Sequence, residues 1–185
     1  MSRIANKPIQ IPAGVEVRVD NGRVLVKGPK GELTRTLHDR VRVVVGERGV
    51  EISVLDNTDA TDRALWGTFG SHVKNMLRGV TMGYTKKLEI NGIGYRAEVK
   101  GRTLVLNVGY THPVEFPIPD GLTITMEKNV IVVNSIDKEI VGQAAAEIRG
   151  IKEPEPYQGK GIKYSDEVIR RKAGKAVKAG AGGAA

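Results

Sequence analysis

The sequence predicts an α+β protein made of two tandem copies of one domain. Short alternating apolar runs are typical of antiparallel strands, and two segments carry apolar residues at every third or fourth position, as on one face of a helix. The same order of strands and helix occurs twice. We therefore expect each copy to contain an antiparallel β-sheet unit with one helix packed on a shared core. A chain of 185 residues that is 40% hydrophobic is long enough for two such units.

The first copy begins with strands joined by tight turns. The dipeptide Asn21-Gly22 separates two β-branched runs, and this arrangement favours a two-residue hairpin. Residues 28–31 (Gly-Pro-Lys-Gly) predict a second turn. The predicted strands of this copy cover residues 15–19, 24–26, 32–37, 41–45 and 50–55.

The hydrophobic period changes at Asp59, where the first helix is expected to begin. Apolar residues then recur at spacings of four and three on one helical face. These residues are Leu65, Phe69, Val73, Met76 and Val80. Asp59 or Asp62 can cap the first turn by accepting hydrogen bonds from its free amides. Gly79 is predicted to mark the end of the helix.

The second copy repeats this order of elements. Its predicted strands cover residues 88–90, 95–99, 103–108, 114–117, 122–126 and 130–133, and its helix covers 137–149 with Gly150 as the stop. An offset of 75 residues places Asp62 on Asp137 at the two helix starts. Element order and apolar phase agree although few residues are identical. We interpret this as an internal duplication, with boundaries at 1–81 and 82–152, followed by an arm and tail at 153–185.

Charge is concentrated at the end of the chain. The net charge is +8, and residues 149–185 contribute +5 of it, with nine Lys or Arg against four Asp or Glu. Such a basic segment favours an acidic partner. The chain has no cysteine, which excludes disulfides and thiolate metal sites. It has no apolar run of about 18 residues and no apolar block after Met1, so we expect a cytoplasmic protein without a membrane partner.

The sequence does not indicate a catalytic, cofactor or metal site. Residues 92–97 match the pattern Gly-x-Gly-x-x-Ala, but a dinucleotide site needs a helix next, and an alternating strand pattern follows instead. His38, His72 and His112 lack the spacing of metal ligands. No nucleophile–base group or acid–base carboxylate pair can be singled out. We therefore expect no enzyme activity, no cofactor, no metal and no small-molecule substrate.

The stretch 153–164 is the most distinctive part of the chain. Pro154 and Pro156 stiffen the backbone, and Gly159 and Gly161 flank Lys160 with residues that adopt positive φ or allow close backbone approach. The stretch is expected to be a stiff arm that carries the aromatic ring of Tyr157, a flexible turn and a presented ammonium group. An anionic backbone is a natural partner for this arrangement. An ordinary Pro/Gly-rich connector explains this stretch, taken alone, equally well.

The tail from Gln158 to Ala185 is basic and poor in apolar residues. Its cations are Lys160, Lys163, Arg170, Arg171, Lys172, Lys175 and Lys178. Residues 169–178 have the composition of a short basic helix. Because the tail has little apolar surface, we expect it to order only on a partner. A membrane would require a larger apolar face, so a nucleic-acid backbone fits better, and loop contacts without a recognition helix favour RNA.

Several motifs together resemble the bacterial large-subunit ribosomal protein L-six family. They are the residues 1–9 (MSRIANKPI), 26–33 (VKGPKGEL), 91–97 (NGIGYRA), 109–113 (GYTHP) and 154–162 (PEPYQGKGI). The resemblance covers essentially the whole chain in the same order, and 154–162 is its most specific part. From Ala179 onward, the tail is less basic and richer in Ala and Gly than is usual for the family.

The resemblance implies two tandem α+β domains and a non-enzymatic, structural role in the cytoplasmic ribosome. It implies binding to large-subunit ribosomal RNA near the sarcin–ricin hairpin and the stalk base, beside neighbouring large-subunit proteins and the site of translation factors. The candidate RNA contacts in the arm and tail are Tyr157, Gly159, Lys160, Gly161, Lys163, Arg170, Arg171, Lys172, Lys175 and Lys178. A second group of candidates lies elsewhere in the chain and consists of Arg3, Lys7, Arg96, His112 and Lys138.

Two other classes of protein fit parts of this pattern. A small-molecule enzyme on the duplicated domains would place convergent acids with shifted pKa values in a pocket, and its basic tail would only aid solubility. A general nucleic-acid chaperone would bind unrelated RNAs with equal affinity. The charge pattern together with the resemblance predicts a non-enzymatic RNA-binding structural protein of the ribosome.

Overall fold

The computed structural model describes residues 8–46 and 48–174, and these residues have the predicted α+β architecture. The strands are β1 Glu16–Asp20, β2 Arg23–Gly28, β3 Gly31–Thr36, β4 Val41–Gly46, β5 Gly49–Val54, β6 Tyr84–Asn91, β7 Arg96–Lys100, β8 Thr103–Asn107, β9 Val114–Pro117, β10 Leu122–Glu127, β11 Val130–Ser135 and β12 Gly161–Tyr164. The helices are α1 Ala60–Thr81 and α2 Lys138–Ile151. The strand orders within the sheets are β1-β2-β3, β4-β5, β7-β8-β9 and β10-β11-β6-β12.

The first predicted hairpin is confirmed. Asp20 pairs with Arg23, so the connection between β1 and β2 is the two-residue turn Asn21-Gly22. Both turn residues have positive φ, 45° and 70°, which is the combination that matches the twist of the flanking strands. The turn over residues 28–31 is also confirmed, since β2 pairs with β3 up to that point.

Strands β1, β2, β4 and β5 and helix α1 form the core of the first copy. The buried members are Val17, Val24, Val26, Val41, Val43, Val50, Ile52, Val73, Met76, Leu77 and Val80. Alternation on the strands and three- or four-residue spacing on α1 place these side chains on facing surfaces. Trp66 packs at the edge of this core, and its indole Nε1 donates a hydrogen bond of 2.8 Å to the carbonyl of Ile52.

The start of α1 agrees with the prediction, but its end does not. Asp59 is the N-cap, and its carboxylate accepts a hydrogen bond from an amide of the first turn. Gly79 was expected to end the helix, yet α1 continues to Thr81 and the left-handed residue after it is Gly83, with φ 78°. Gly79 is needed for space instead, because a Cβ there would collide with the carbonyl oxygen of Ile136.

The second copy repeats the element order of the first. The sheet β7-β8-β9 corresponds to β1-β2-β3, and β10-β11 corresponds to β4-β5. In the first copy, Ile9 forms an isolated antiparallel bridge with Val50 of β5. In the second copy, β6 pairs with β11, the strand that corresponds to β5. The internal duplication is therefore confirmed. The predicted stop at Gly150 is wrong by one residue, since α2 includes Gly150 and ends at Ile151.

Packing divides the described chain into two compact units whose segments interleave along the sequence. One contains the chain up to Lys86 with Pro119–Thr123 and Val133–Gln143. The other contains Lys87–Ile118, Ile124–Val132 and the residues from Ala144 onward. The boundaries 1–81, 82–152 and 153–185 follow the repeat of elements rather than packing, and they stay a prediction.

Branched aliphatic residues fill the interior of the second unit. Six of them are completely buried: Leu88, Leu104, Leu106, Ile131, Ile148 and Ile162. Ile162 belongs to the arm, so the arm contributes to this interior. None of the helices in the described part of the chain is long and apolar enough to cross a membrane.

Candidate nucleic-acid interface

Four residues of the arm form a strand of the folded unit. Residues 161–164 form β12, which pairs antiparallel with β6, and Ile162 lies opposite Ile90. The side chain of Ile162 is 0% exposed, and its amide donates a 2.8 Å hydrogen bond to the carbonyl of Lys152. The expectation that the tail from Gln158 orders only on a partner is therefore wrong for this segment. One buried isoleucine and a paired strand supply the order that composition alone did not indicate.

A compact turn joins α2 to β12. The Glu155 amide donates to the carbonyl of Lys160 at 3.0 Å, and the Gly159 amide donates to the carbonyl of Glu155 at 3.1 Å. Gly159 has φ 76°, which closes this turn. Gly161 allows the chain to cross itself, because a Cβ there would lie 2.6 Å from the carbonyl oxygen of Glu153. Both glycines thus have structural reasons that do not require a ligand.

After β12 the chain returns alongside the turn. The Lys172 amide donates a 2.8 Å hydrogen bond to the carbonyl of Pro156. The Arg171 guanidinium lies beside Gly159, with its Nη2 3.5 Å from the position that a Cβ would occupy there. The structure therefore brings the 154–160 turn and the basic segment 170–172 together, although residues 161–169 separate them in the sequence.

The predicted basic helix over 169–178 is not present in its described part. Residues 169–174 form neither helix nor strand, and Lys175 and Lys178 lie outside the described residues. The apolar residues of this region do not form a buried face, because Val168 is 94% exposed and Ile169 is only half-buried. Helix formation in so short a segment needs packing of one apolar face, and this segment has little to pack.

The candidate residues of the arm differ in exposure. Tyr157 is 56% exposed, and the side chains of Arg170, Arg171 and Lys172 are exposed. Lys160 and Gly159 are half-buried, whereas Gly161 is buried. An aromatic face beside several cations can stack on a base while the cations meet phosphates. RNA contact at each of these residues stays a prediction.

Lys163 carries a charge that is already paired. Its Nζ lies 3.0 Å from a carboxylate oxygen of Glu89, the residue opposite it on β6. The two side chains are 24% and 35% exposed, respectively. A phosphate would therefore meet Lys163 together with this carboxylate, unlike the exposed cations at 170–172.

Sequence reasoning missed a cluster that ties the arm to α2. Arg149 donates from Nε and Nη2 to the two carboxylate oxygens of Glu167, at 2.9 Å and 2.7 Å. The Tyr164 amide donates to the same carboxylate at 3.1 Å, and Glu153 lies 3.5 Å from Arg149 Nη1. These donors, Arg149 first, hold the pKa of the Glu167 carboxyl below its ordinary value. The sequence offered no signal for this pair, because its members are 18 positions apart and belong to no common helical or strand pattern.

A second interaction fixes the end of α2. The Tyr110 hydroxyl donates a 2.8 Å hydrogen bond to the carbonyl of Ile151, which the helix leaves free. The Lys152 Nζ lies 4.7 Å from the centre of the Tyr110 ring, a cation–π arrangement. The motif 109–113 was noted in the sequence, but its role in holding the end of α2 was not predicted.

The second group of candidates is dispersed. Arg96 and His112 are exposed in the second unit, and Lys138 is exposed in the first. Arg3 and Lys7 lie outside the described residues. The structure places none of the described three in the arm, and their contact with RNA stays a prediction.

Comparison with known proteins gives the same family as the motifs. The family described as Ribosomal protein L6 matches residues 11–83 and again residues 91–165. These two matches cover most of the chain, one in each copy, and the second extends past residue 152 into the arm. The chain belongs to the ribosomal protein L6 family. The two segments confirm the tandem α+β organisation, and the second ends just after β12.

Several curated relatives of the L6 family are similar over nearly their whole length. The large ribosomal subunit protein uL6 of Desulforapulum autotrophicum is 55% identical over 177 residues, which cover 95% of this chain and 98% of the relative. The uL6 proteins of Carboxydothermus hydrogenoformans and Nitratiruptor sp. are 54% and 48% identical, covering 95% and 96% of this chain and 96% and 99% of the relatives. The L6 family consists of structural ribosomal proteins, so the prediction of a non-enzymatic protein is confirmed.

Proposed function

We propose that this protein is a structural constituent of the large ribosomal subunit that binds large-subunit ribosomal RNA through its arm. The observation that carries the proposal is the placement of the basic segment. Arg170, Arg171 and Lys172 are exposed on a chain that β12 anchors to the folded unit. Relatives about half identical over nearly their full length are large ribosomal subunit proteins, which supports the same assembly for this chain.

The mechanism is neutralisation of phosphates by a preordered segment. The arm carries cations on two adjacent stretches, Lys160 in the turn and 170–172 in the returning chain, and the exposed ring of Tyr157 belongs to the same turn. Because the second unit already orders these groups, binding loses less conformational entropy than it would with a disordered tail. Each cation that meets a phosphate releases counterions, which makes the affinity strongly dependent on salt.

We propose further that the protein binds the large subunit near the sarcin–ricin hairpin and the base of the factor-binding stalk. There the protein supports the region where translation factors bind, beside neighbouring large-subunit proteins and in the cytoplasm. The resemblance to the L6 family supports this location. Hydroxyl-radical footprinting of reconstituted large subunits tests it. We expect protection of the sarcin–ricin hairpin, and protection elsewhere only would contradict this location.

The test of RNA binding neutralises the arm without removing it. A stop after Lys152 would delete β12 with the buried Ile162, so it would damage the fold as well as the interface. We instead choose the triple variant with Arg170→Gln, Arg171→Gln and Lys172→Gln. Filter binding to large-subunit ribosomal RNA across a salt series should show weaker binding and a salt slope reduced by about 2 to 3.

The matched control removes the same charge from exposed positions outside the arm, through the substitutions Arg23→Gln, Arg42→Gln and Lys128→Gln. This control should keep both affinity and slope closer to those of the parent. An unrelated folded RNA measures selectivity. Equal losses in the two triple variants would show that overall charge, not the arm, carries binding, and a parent without preference for its RNA would refute the proposed function.

A further inference from the structure

Residues 165–174, which follow β12, need contacts with the folded unit to keep one conformation. Residues 165–174 form neither helix nor strand, and Val168 in their middle is 94% exposed. Apolar burial therefore contributes little to their order. Backbone hydrogen bonds at Ser165, Glu167 and Lys172 connect the segment to β6, β12 and the 154–160 turn. Bonds of this kind at an exposed surface open readily unless neighbouring contacts support them.

The ion pair between Arg149 and Glu167 is well suited to supply that support. It is bidentate, and both side chains are about three-quarters buried, with 26% and 23% exposure. A bidentate, partly buried pair is geometrically defined and less screened by salt than an exposed pair. Arg149 belongs to α2, whereas Glu167 lies between β12 and the basic segment. The pair thus joins a rigid helix to the chain that carries the candidate phosphate contacts.

Resting on the proposed function, we propose that Arg149 and Glu167 are positioning residues for RNA binding, which seat the basic segment against α2 and do not contact RNA themselves. Their charges neutralise each other, so Arg149 is not a phosphate ligand despite lying in the basic part of the chain. The carboxylate also accepts the Tyr164 amide, so it fixes the exit of the chain from β12. From this exit the chain reaches Lys172, whose amide is bonded to Pro156.

The effect of Glu167→Gln on RNA affinity distinguishes positioning from a simple effect of net charge. Glu167→Gln makes the protein more positive by one charge, and a general electrostatic attraction would then tighten RNA binding. Loss of the seated conformation predicts weaker binding instead. If the segment is seated only one tenth of the time, the apparent Kd rises about tenfold. The control is Glu115→Gln, an exposed carboxylate of the same unit with the same change of charge.

The salt slope separates positioning from contact. Glu167→Gln leaves the number of phosphate contacts in the complex unchanged, so the slope of log K against log salt should stay that of the parent. Lys172→Gln removes a candidate contact and should reduce the slope by roughly 0.7 to 0.9. The double variant with Arg149→Gln and Glu167→Gln keeps the net charge of the parent. It should bind as weakly as Glu167→Gln alone, since either change breaks the same pair.

An RNA-independent measurement keeps this inference distinct from the proposed function. Residue-resolved hydrogen exchange on the free full-length chain should show faster exchange, by about tenfold, at the amides of residues 167 and 172 in Glu167→Gln than in the parent. The Ile162 amide should remain protected, which also shows that the variant is folded. Unchanged exchange at Lys172, or RNA binding as tight as that of Glu115→Gln, would overturn the positioning role. If the parent lacks selectivity for its RNA, the proposed function fails, and the exchange data still decide whether the pair seats the segment.

Discussion

The crossing of the arm over its own beginning at Gly161 offers the sharpest test of the structure. Gly161 has φ 142°, a conformation that residues with a side chain rarely adopt. A Cβ at this position would lie 2.6 Å from the Glu153 carbonyl oxygen and 2.7 Å from the Cα of Pro154. Both obstacles are backbone atoms, so no change of rotamer relieves the collision. Gly161→Ala must therefore strain the backbone and separate the two chain segments.

The expected cost follows from these two effects. Backbone strain costs about 1 to 3 kcal/mol, and overpacking costs a similar amount, about 1 to 3 kcal/mol. We expect the free energy of unfolding of the second unit to fall by about 3 kcal/mol. For a unit of this size, the midpoint of thermal unfolding should decrease by roughly 12 to 24 °C. The hydrogen bond between the Ile162 amide and the Lys152 carbonyl lies next to the crossing and should weaken as well.

The assay combines thermal unfolding, followed by circular dichroism, with amide exchange at Ile162. The control is Gly150→Ala, the same chemical change inside α2, where a Cβ would meet no atom within 4 Å. Alanine is the better helix former, so this control should gain up to about 1 kcal/mol. A Gly161→Ala protein with unchanged unfolding midpoint and unchanged Ile162 exchange would refute the argument from close approach.

Three further predictions concern a buried isoleucine, a partly buried hydrogen bond and a half-buried histidine. Because Ile162 is fully buried, Ile162→Ala should lower the free energy of unfolding of the second unit by about 2 to 5 kcal/mol in denaturant titrations. Ile162→Val should lower it by about 0.5 to 1.5 kcal/mol in the same titrations. Equal effects of the two changes would contradict core packing. Trp66→Phe should cost about 1 kcal/mol in the same titration by removing the hydrogen bond to the Ile52 carbonyl, and a neutral result would show that water replaces it. Burial, and then the Arg35 charge, lower the pKa of His72 below 6.5. The unfolded state then binds more protons, so stability should fall as the pH drops through 6.5, and His72→Gln should abolish that fall; an identical pH profile would refute the assignment.

Local sequence signals predicted most elements of the fold correctly. Asn21-Gly22 specifies its turn because two consecutive positive φ values are accessible to these residues, and the Asp59 cap needs only neighbouring amides. The two helices and the order of strands follow from apolar periodicity, which each segment carries within itself. Helix ends were predicted less well. Gly79 and Gly150 are both inside helices, because a glycine can serve close packing or simply be tolerated as well as end a helix.

The sequence predicted which residue types the candidate site contains, but it did not predict that part of the site is a paired strand. The cations of the arm and the Pro/Gly stretch were visible in the sequence, since charge and backbone restriction are properties of single residues. The strand β12 was not, because four residues between turns carry too short a pattern to distinguish a strand from a connector. Its partner β6 lies at least 70 positions earlier in the sequence, and only folding brings the two strands together.

By itself, the sequence determined the α+β class, the duplication, the family and the basic character of the end of the chain. These depend on patterns within segments of about twenty residues and on motifs that persist along the chain. The tertiary structure alone decided that Ile162 joins a core, that Arg149 pairs with Glu167, and that Lys172 returns to the turn at Pro156. In each of these contacts, the separation of the residues in the sequence gives no indication that they meet. Their energy arises from burial and ion pairing, which exist only once the folded unit brings the partners together.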